Sequence, residues 1–151
     1  MPVRSIFTPG HILPGPKPWI LVDRVLDTVS VAQISTCKLI SASDYFLQGH
    51  FQHYSVYPGV LLIEGIRQSL YLWLSRRTPD PHAIELRDMQ VRFLTPAVPG
   101  DVIRYDITVQ GSSEKGSFGR ISATGTVDAK VVLTFQAACN LGEIKAENLS
   151  G

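Results

Sequence analysis

The sequence predicts an α+β fold in which a curved antiparallel sheet wraps one long central helix. Three observations lead there. Residues 58–75 read as a helix that is apolar on nearly every side, so other structure must cover it. Two strand-like runs precede this helix, and four follow it. Short turn signals separate the later runs, which suits antiparallel neighbours.

Each element has its own reason. Residues 11–18 hold four prolines or glycines in eight positions, so an irregular loop is expected. Residues 19–29 (WILVDRVLDTV) are aliphatic and β-branched, and residues 31–41 alternate. Both are expected as strands. Residues 42–57 mix polar and aromatic side chains without a period. Pro58-Gly59 opens the helix, where a missing proline N–H is no loss. Arg76 and Arg77 follow it, where positive charge suits the helix dipole, and Thr78-Pro79-Asp80-Pro81 stops it. Strands are then expected at 84–94, 101–110, 118–127 and 130–140, with turns at Gly111-Ser112-Ser113 and Asp128-Ala129. One domain is expected over 1–142, followed by a polar tail over 143–151.

Composition bounds the function. A chain of 151 residues can bury a core without disulfide or metal staples. It is 44% hydrophobic and 18% charged, which reads as globular, and a net charge of +1 gives no electrostatic case for nucleic acid. Cys37 and Cys139 both fall in strand-like runs and read as small buried hydrophobes rather than a disulfide. The opening residues lack the pattern of a secretory leader, and the apolar run around the helix is broken by Glu64, Arg67 and Gln68. A soluble protein of a reducing cytoplasm is expected.

Chemistry is concentrated between residues 49 and 68. Glu64 stands in an apolar run, and a buried carboxylate needs a partner or a use. Gln68 lies four residues on and shares its face. Gly59 sits in the first helical turn, where free N–H groups can hold a carbonyl oxygen that gains charge. Its lack of a side chain lets a substrate approach the backbone. His50, on the loop before the helix, supplies a base of near-neutral pKa. Together these suit proton abstraction beside a carbonyl and loss of a group that needs a proton. The plain alternative is that Glu64 pairs with Arg67 or a distant arginine and that His50 is a satisfied core residue. His50 and His53 also form an H-x-x-H pair, but no carboxylate or cysteine ligand accompanies them at tight spacing.

His50-Phe51, then Pro58-Gly59-Val60-Leu61, then Glu64 and Gln68 resemble a family signature, H-F-P-G-R-P-x-x-P-G-V-L-x-x-E-A-x-A-Q. It is the signature of the bacterial 3-hydroxyacyl-[acyl carrier protein] dehydratases of fatty acid synthesis. Leu13-Pro14 with the run from Pro18 to Val25 is similar to that family's LPHRYPFLLVDRV. Arg92-Phe93 with the run from Pro96 to Asp101 is similar to its RFRRPVVPGD. The resemblance implies a hotdog fold, and a dimer at least, with sites shared between subunits. It implies that His50 takes the α-proton of a 3-hydroxyacyl thioester and that Glu64 assists departure of the β-hydroxyl. The Gly59 N–H would polarise the thioester carbonyl, and Gln68 would position Glu64. Phe51, Val60 and Phe93 would line the acyl channel. No metal or organic cofactor is implied, and the acyl carrier protein is the implied partner. Arg76, Arg77, Arg87, Arg92 and Arg104 are candidates for its docking surface, or ordinary solvated charges.

The chain also departs from the pattern. Gln52-His53-Tyr54-Ser55 replaces the Pro-Gly-Arg-Pro loop, Gly65 and Arg67 replace small residues beside Glu64, and Gly15-Pro16-Lys17 replaces His-Arg-Tyr. Arg87-Asp88-Met89 stands where the family has Gly-Ile-Asp before the arginine. An Arg67–Glu64 pair would keep Glu64 ionised and make it a poorer acid. The altered loop suggests a specialised relative acting on a polyene or aryl-primed chain in a polyketide-like or other secondary pathway. Two competing functions remain. One is a hotdog thioesterase using Glu64 to activate water. The other is the non-catalytic partner of a heterodimeric dehydratase.

Overall fold

The computed structural model describes residues 9–15, 19–26, 32–44, 47, 56–111 and 119–140. Its elements run α1 (Pro9–Ile12), β1 (Arg24–Val25), β2 (Gln33–Leu39), α2 (Gly59–Ser75), β3 (Leu86–Phe93), β4 (Val102–Gln110), β5 (Gly119–Val127) and β6 (Lys130–Cys139). The six strands form one sheet in the order β1-β2-β4-β5-β6-β3, with every pairing antiparallel. This is the arrangement expected of a hotdog fold.

Alternation builds the inner face. Ile103, Tyr105, Ile107 and Val109 of β4 are buried, as are Ile121 and Ala123 of β5 and Leu133, Phe135, Ala137 and Cys139 of β6. They share one core with Leu61, Leu62, Ile66, Leu70 and Trp73 of α2. Burial of each large aliphatic side chain stabilises the fold by about 1.5–3 kcal/mol. A polar seam joins helix to sheet. The Thr36 and Ser69 hydroxyls lie 2.8 Å apart, and Ser69 Oγ donates to the Gly65 carbonyl at 2.7 Å. Gly65 also makes room for Tyr105, whose hydroxyl lies 2.8 Å from where a β-carbon would stand.

Pro58 caps α2 in an extended conformation, and Arg76 closes it. The Arg77 guanidinium rests 4.5 Å above the Trp73 ring. No helix among the described residues is long and apolar enough to cross a membrane.

Two expectations need correction. Within the described residues 19–26, the strand expected over 19–29 contracts to the two residues of β1, extended by Asp23 N–H donating to Cys37 O and Leu26 N–H to Ser35 O, while residues 27–29 lie outside the described residues. The loop expected from residue 11 instead begins inside α1. Cys37 and Cys139 are both free. Burial pushes the Cys139 thiol up to about 12, and Cys37, only partly covered, is raised for the same first reason. The Gly111-Ser112-Ser113 turn and the tail over 143–151 lie outside the described residues, apart from Gly111 itself.

β3 is an edge strand that buries little. A register shift between Arg87 and Gln90 breaks its ladder with β6, and Asp88 there takes a φ of 53°. Met89, Phe93 and the following Leu94 are exposed.

Candidate active site

Among the described residues, α2 carries a less covered stripe. Val60, Ile63, Glu64, Arg67 and Tyr71 recur at helical spacing and are, apart from the end residues Gly59 and Ser75, the helix's less covered residues. Val60 is 72% exposed, so within a single chain it lines no enclosed channel.

Glu64 is held by its own helix. Arg67 Nε donates to Glu64 Oε2 at 2.7 Å, and Arg67 Nη2 donates to Glu64 Oε1 at 2.6 Å. This fork-to-carboxylate geometry fixes both side chains. The Glu64 side chain is 14% exposed and that of Arg67 37%. The Glu64 hydrogen bond raises the Arg67 pKa, against the opposing effect of burial. Arg67 Nη1 donates to the carbonyl of Ile84 at 3.3 Å, which ties the stripe to the segment before β3. Both Glu64 oxygens therefore accept hydrogen bonds from Arg67.

Gln68 supports the pair from the buried side. Its Nε2 donates to Trp19 O at 2.9 Å and, at 3.4 Å, to Glu64 Oε1. Its Oε1 accepts the Leu21 N–H at 2.8 Å. A cavity of about 250 Å³ opens beside this network, walled by Leu13, Trp19, Arg67, Gln68, Tyr71 and Ala83.

The helix N-terminus forms a second locus. Helical pairing begins with the Leu61 and Leu62 N–H groups on Pro58 O, so the Gly59 and Val60 N–H groups lie ahead of the first helical bonds. The Phe93 ring packs onto Gly59, where a β-carbon would come within 2.7 Å of it. Tyr57, Gly59, Leu62, Phe93 and Ala97 border a cavity of about 380 Å³ there. Phe93 remains 55% exposed on its other side.

The structure thus brings Glu64 to Gln68 and Gly59 to Phe93. His50 and Phe51 lie outside the described residues, as do His53 and the altered loop 52–55. Helix spacing signals the Arg67 pair. No local pattern announces contacts between distant segments, so the backbone partners Trp19, Leu21 and Ile84 and the cavity walls Trp19 and Tyr71 are visible only in the fold.

The family model described as the FabA-like domain matches residues 13–136. The 3-hydroxyacyl-[acyl-carrier-protein] dehydratase FabZ of Pseudothermotoga lettingae is 34% identical over 124 residues, covering 82% of this chain and 86% of its own. FabZ of a Janthinobacterium species is 30% identical over 137 residues, covering 87% and 86%. Among solved structures, the dehydratase heterocomplex ApeI:P from Xenorhabdus doucetiae is similar, with a TM-score of 0.72 and 18% identity over 89% of this chain and 90% of that one. The E. coli PaaI protein from the phenylacetic acid degradation operon gives 0.59 and 14% identity, over 77% and 80%. At these identities the solved structures speak for the fold.

Proposed function

The chain belongs to the FabA-like domain family, and on that premise we propose that it dehydrates 3-hydroxyacyl-[acyl carrier protein] thioesters to trans-2-enoyl thioesters. The observation that carries the reading is the fixed Glu64 carboxylate on the less covered stripe of α2, held by Arg67 and Gln68.

In this reading His50 takes the α-proton while the Gly59 N–H stabilises charge on the thioester oxygen. The Cα–H electron pair becomes the new double bond, and the Cβ–O bond breaks. Glu64 already accepts from Arg67 at both oxygens, so its part is to hold and orient the β-hydroxyl through a further hydrogen bond. The proton that leaves with that hydroxyl as water is the one His50 took from the α-carbon. Phe93 and Val60, with Phe51, then line the acyl channel where it passes the helix terminus.

The less covered stripe and the bare β3 edge favour a second hotdog subunit over this face, so that His50 of one copy meets Glu64 of another. The similar solved structure is a heterocomplex, which makes a different hotdog subunit the competing partner. The altered loop 52–55 favours a specialised chain, polyene or aryl-primed, in fatty-acid-like or polyketide synthesis in the cytoplasm.

Incubating the protein with a 3-hydroxyacyl carrier-protein thioester and following intact mass tests this. Loss of about 18 Da by the wild type, absent with His50→Ala, is the expected result. Release of free acid instead would indicate thioester hydrolysis. No change with any chain would favour a partner-subunit role.

A further inference from the structure

We propose that Arg67 is the specificity-determining residue of this site, selecting acyl chains with a conjugated or aromatic segment over saturated chains. The inference rests on the dehydratase reading and names its substrate class from a separate observation, the wall of the 250 Å³ cavity.

The Arg67 guanidinium cannot swing away freely. Two of its nitrogens are bound to Glu64, and the third donates to Ile84 O. It therefore stands as a fixed part of the cavity wall, facing a space bordered also by Trp19, Tyr71, Leu13 and Ala83. Its positive charge is balanced at once by Glu64, so the wall offers no net charge to an anionic chain end. What a guanidinium and two aromatic rings receive together is an electron-rich π surface. A saturated chain in the same place covers the guanidinium from water and returns no π contact. Gln68 cannot compensate, because its amide is committed to Trp19, Leu21 and Glu64.

The test compares two 3-hydroxyacyl pantetheine thioesters of equal length, one saturated and one conjugated beyond the hydroxyl-bearing carbon. The quantity read is the ratio of their kcat/KM values. The wild type should prefer the conjugated chain by about tenfold, and Arg67→Ala should erase most of that preference. A variant that only misplaces Glu64 slows both substrates together and leaves the ratio unchanged. Trp19→Leu, which alters the same wall and removes neither member of the Glu64–Arg67 pair, should also lower the ratio and decides the matter if Arg67→Ala does not fold. A wild-type ratio near one, or variants that keep the wild-type ratio, would overturn the proposal. If the wild type dehydrates neither chain, the reaction assignment falls. Calorimetric binding of the same two thioesters then decides the cavity separately, with preferential binding of the conjugated chain supporting selection and equal binding overturning it.

Discussion

Gln68 bonds two chain segments with one amide. It fills the Leu21 N–H, takes up the Trp19 carbonyl and reaches Glu64 on its own helix. Gln68→Leu keeps the size but leaves the buried Leu21 N–H and the part-buried Trp19 carbonyl without this partner. A loss of about 1–3 kcal/mol in urea denaturation is expected, with dehydration slowed more than stability alone explains. Unchanged stability would mean that these backbone groups find other partners. At this scale the sequence was partly readable. Residues 64, 67 and 68 fall on neighbouring helical positions, so their mutual contacts follow from helix geometry. The Trp19 and Leu21 backbone groups come from 47 or more residues away, and no spacing rule reaches that far. The exposure of Val60 was hidden for the same reason, since an aliphatic residue at a helix start reads as core until the surrounding surface is known.

Among the elements, the β5–β6 hairpin was the most readable and β1 the least. The hairpin strands lie within a residue of their expected bounds because alternation and the Asp128-Ala129 turn agree. Asp128 and Ala129 take φ values of 49° and 65°, the left-handed pair that a tight two-residue hairpin turn requires. Ala129→Gly should therefore stabilise the protein by about 0.5–1 kcal/mol by removing the β-carbon strain, as thermal unfolding would show. A fall in melting temperature would contradict that assignment. Of the described part of the 19–29 run, residues 19–22 are not strand although their pattern is apolar. The Leu21 N–H is taken by a side chain from α2 rather than by a neighbouring strand, so an apolar run became a packed connector. The stem of the segment that leads to His50 is fastened by charge. The Lys38 ammonium, nearly buried, lies 3.8 Å from Asp23 and 3.7 Å from Asp44, while Asp44 accepts the Ser41 N–H.

At the level of the whole molecule, the described residues of the hotdog fold leave apolar surface uncovered. Val60 at the head of the α2 stripe, the Phe93 and Leu94 end of β3 and much of the β3 edge are exposed in the single chain, and Phe93 and Gly59 bring strand and helix ends together there. A monomer with such an edge invites pairing, and a second copy would cover it while completing the site. The fold class was legible because one enclosed helix among antiparallel strands has few arrangements. A site shared between copies is implied only by the family resemblance, since a single sequence does not state which surface meets a partner.

The most direct measurement mixes two inactive variants. His50→Ala and Glu64→Gln are each purified, then unfolded and refolded together, and dehydration of a 3-hydroxyacyl carrier-protein thioester is followed by intact mass. If His50 of one copy works with Glu64 of another, the mixture should recover about a quarter of wild-type activity, because random pairing gives hybrid dimers with one intact site. Recovery near zero from refolded dimers, alongside an active wild type treated identically, would contradict a site shared between two copies of this chain.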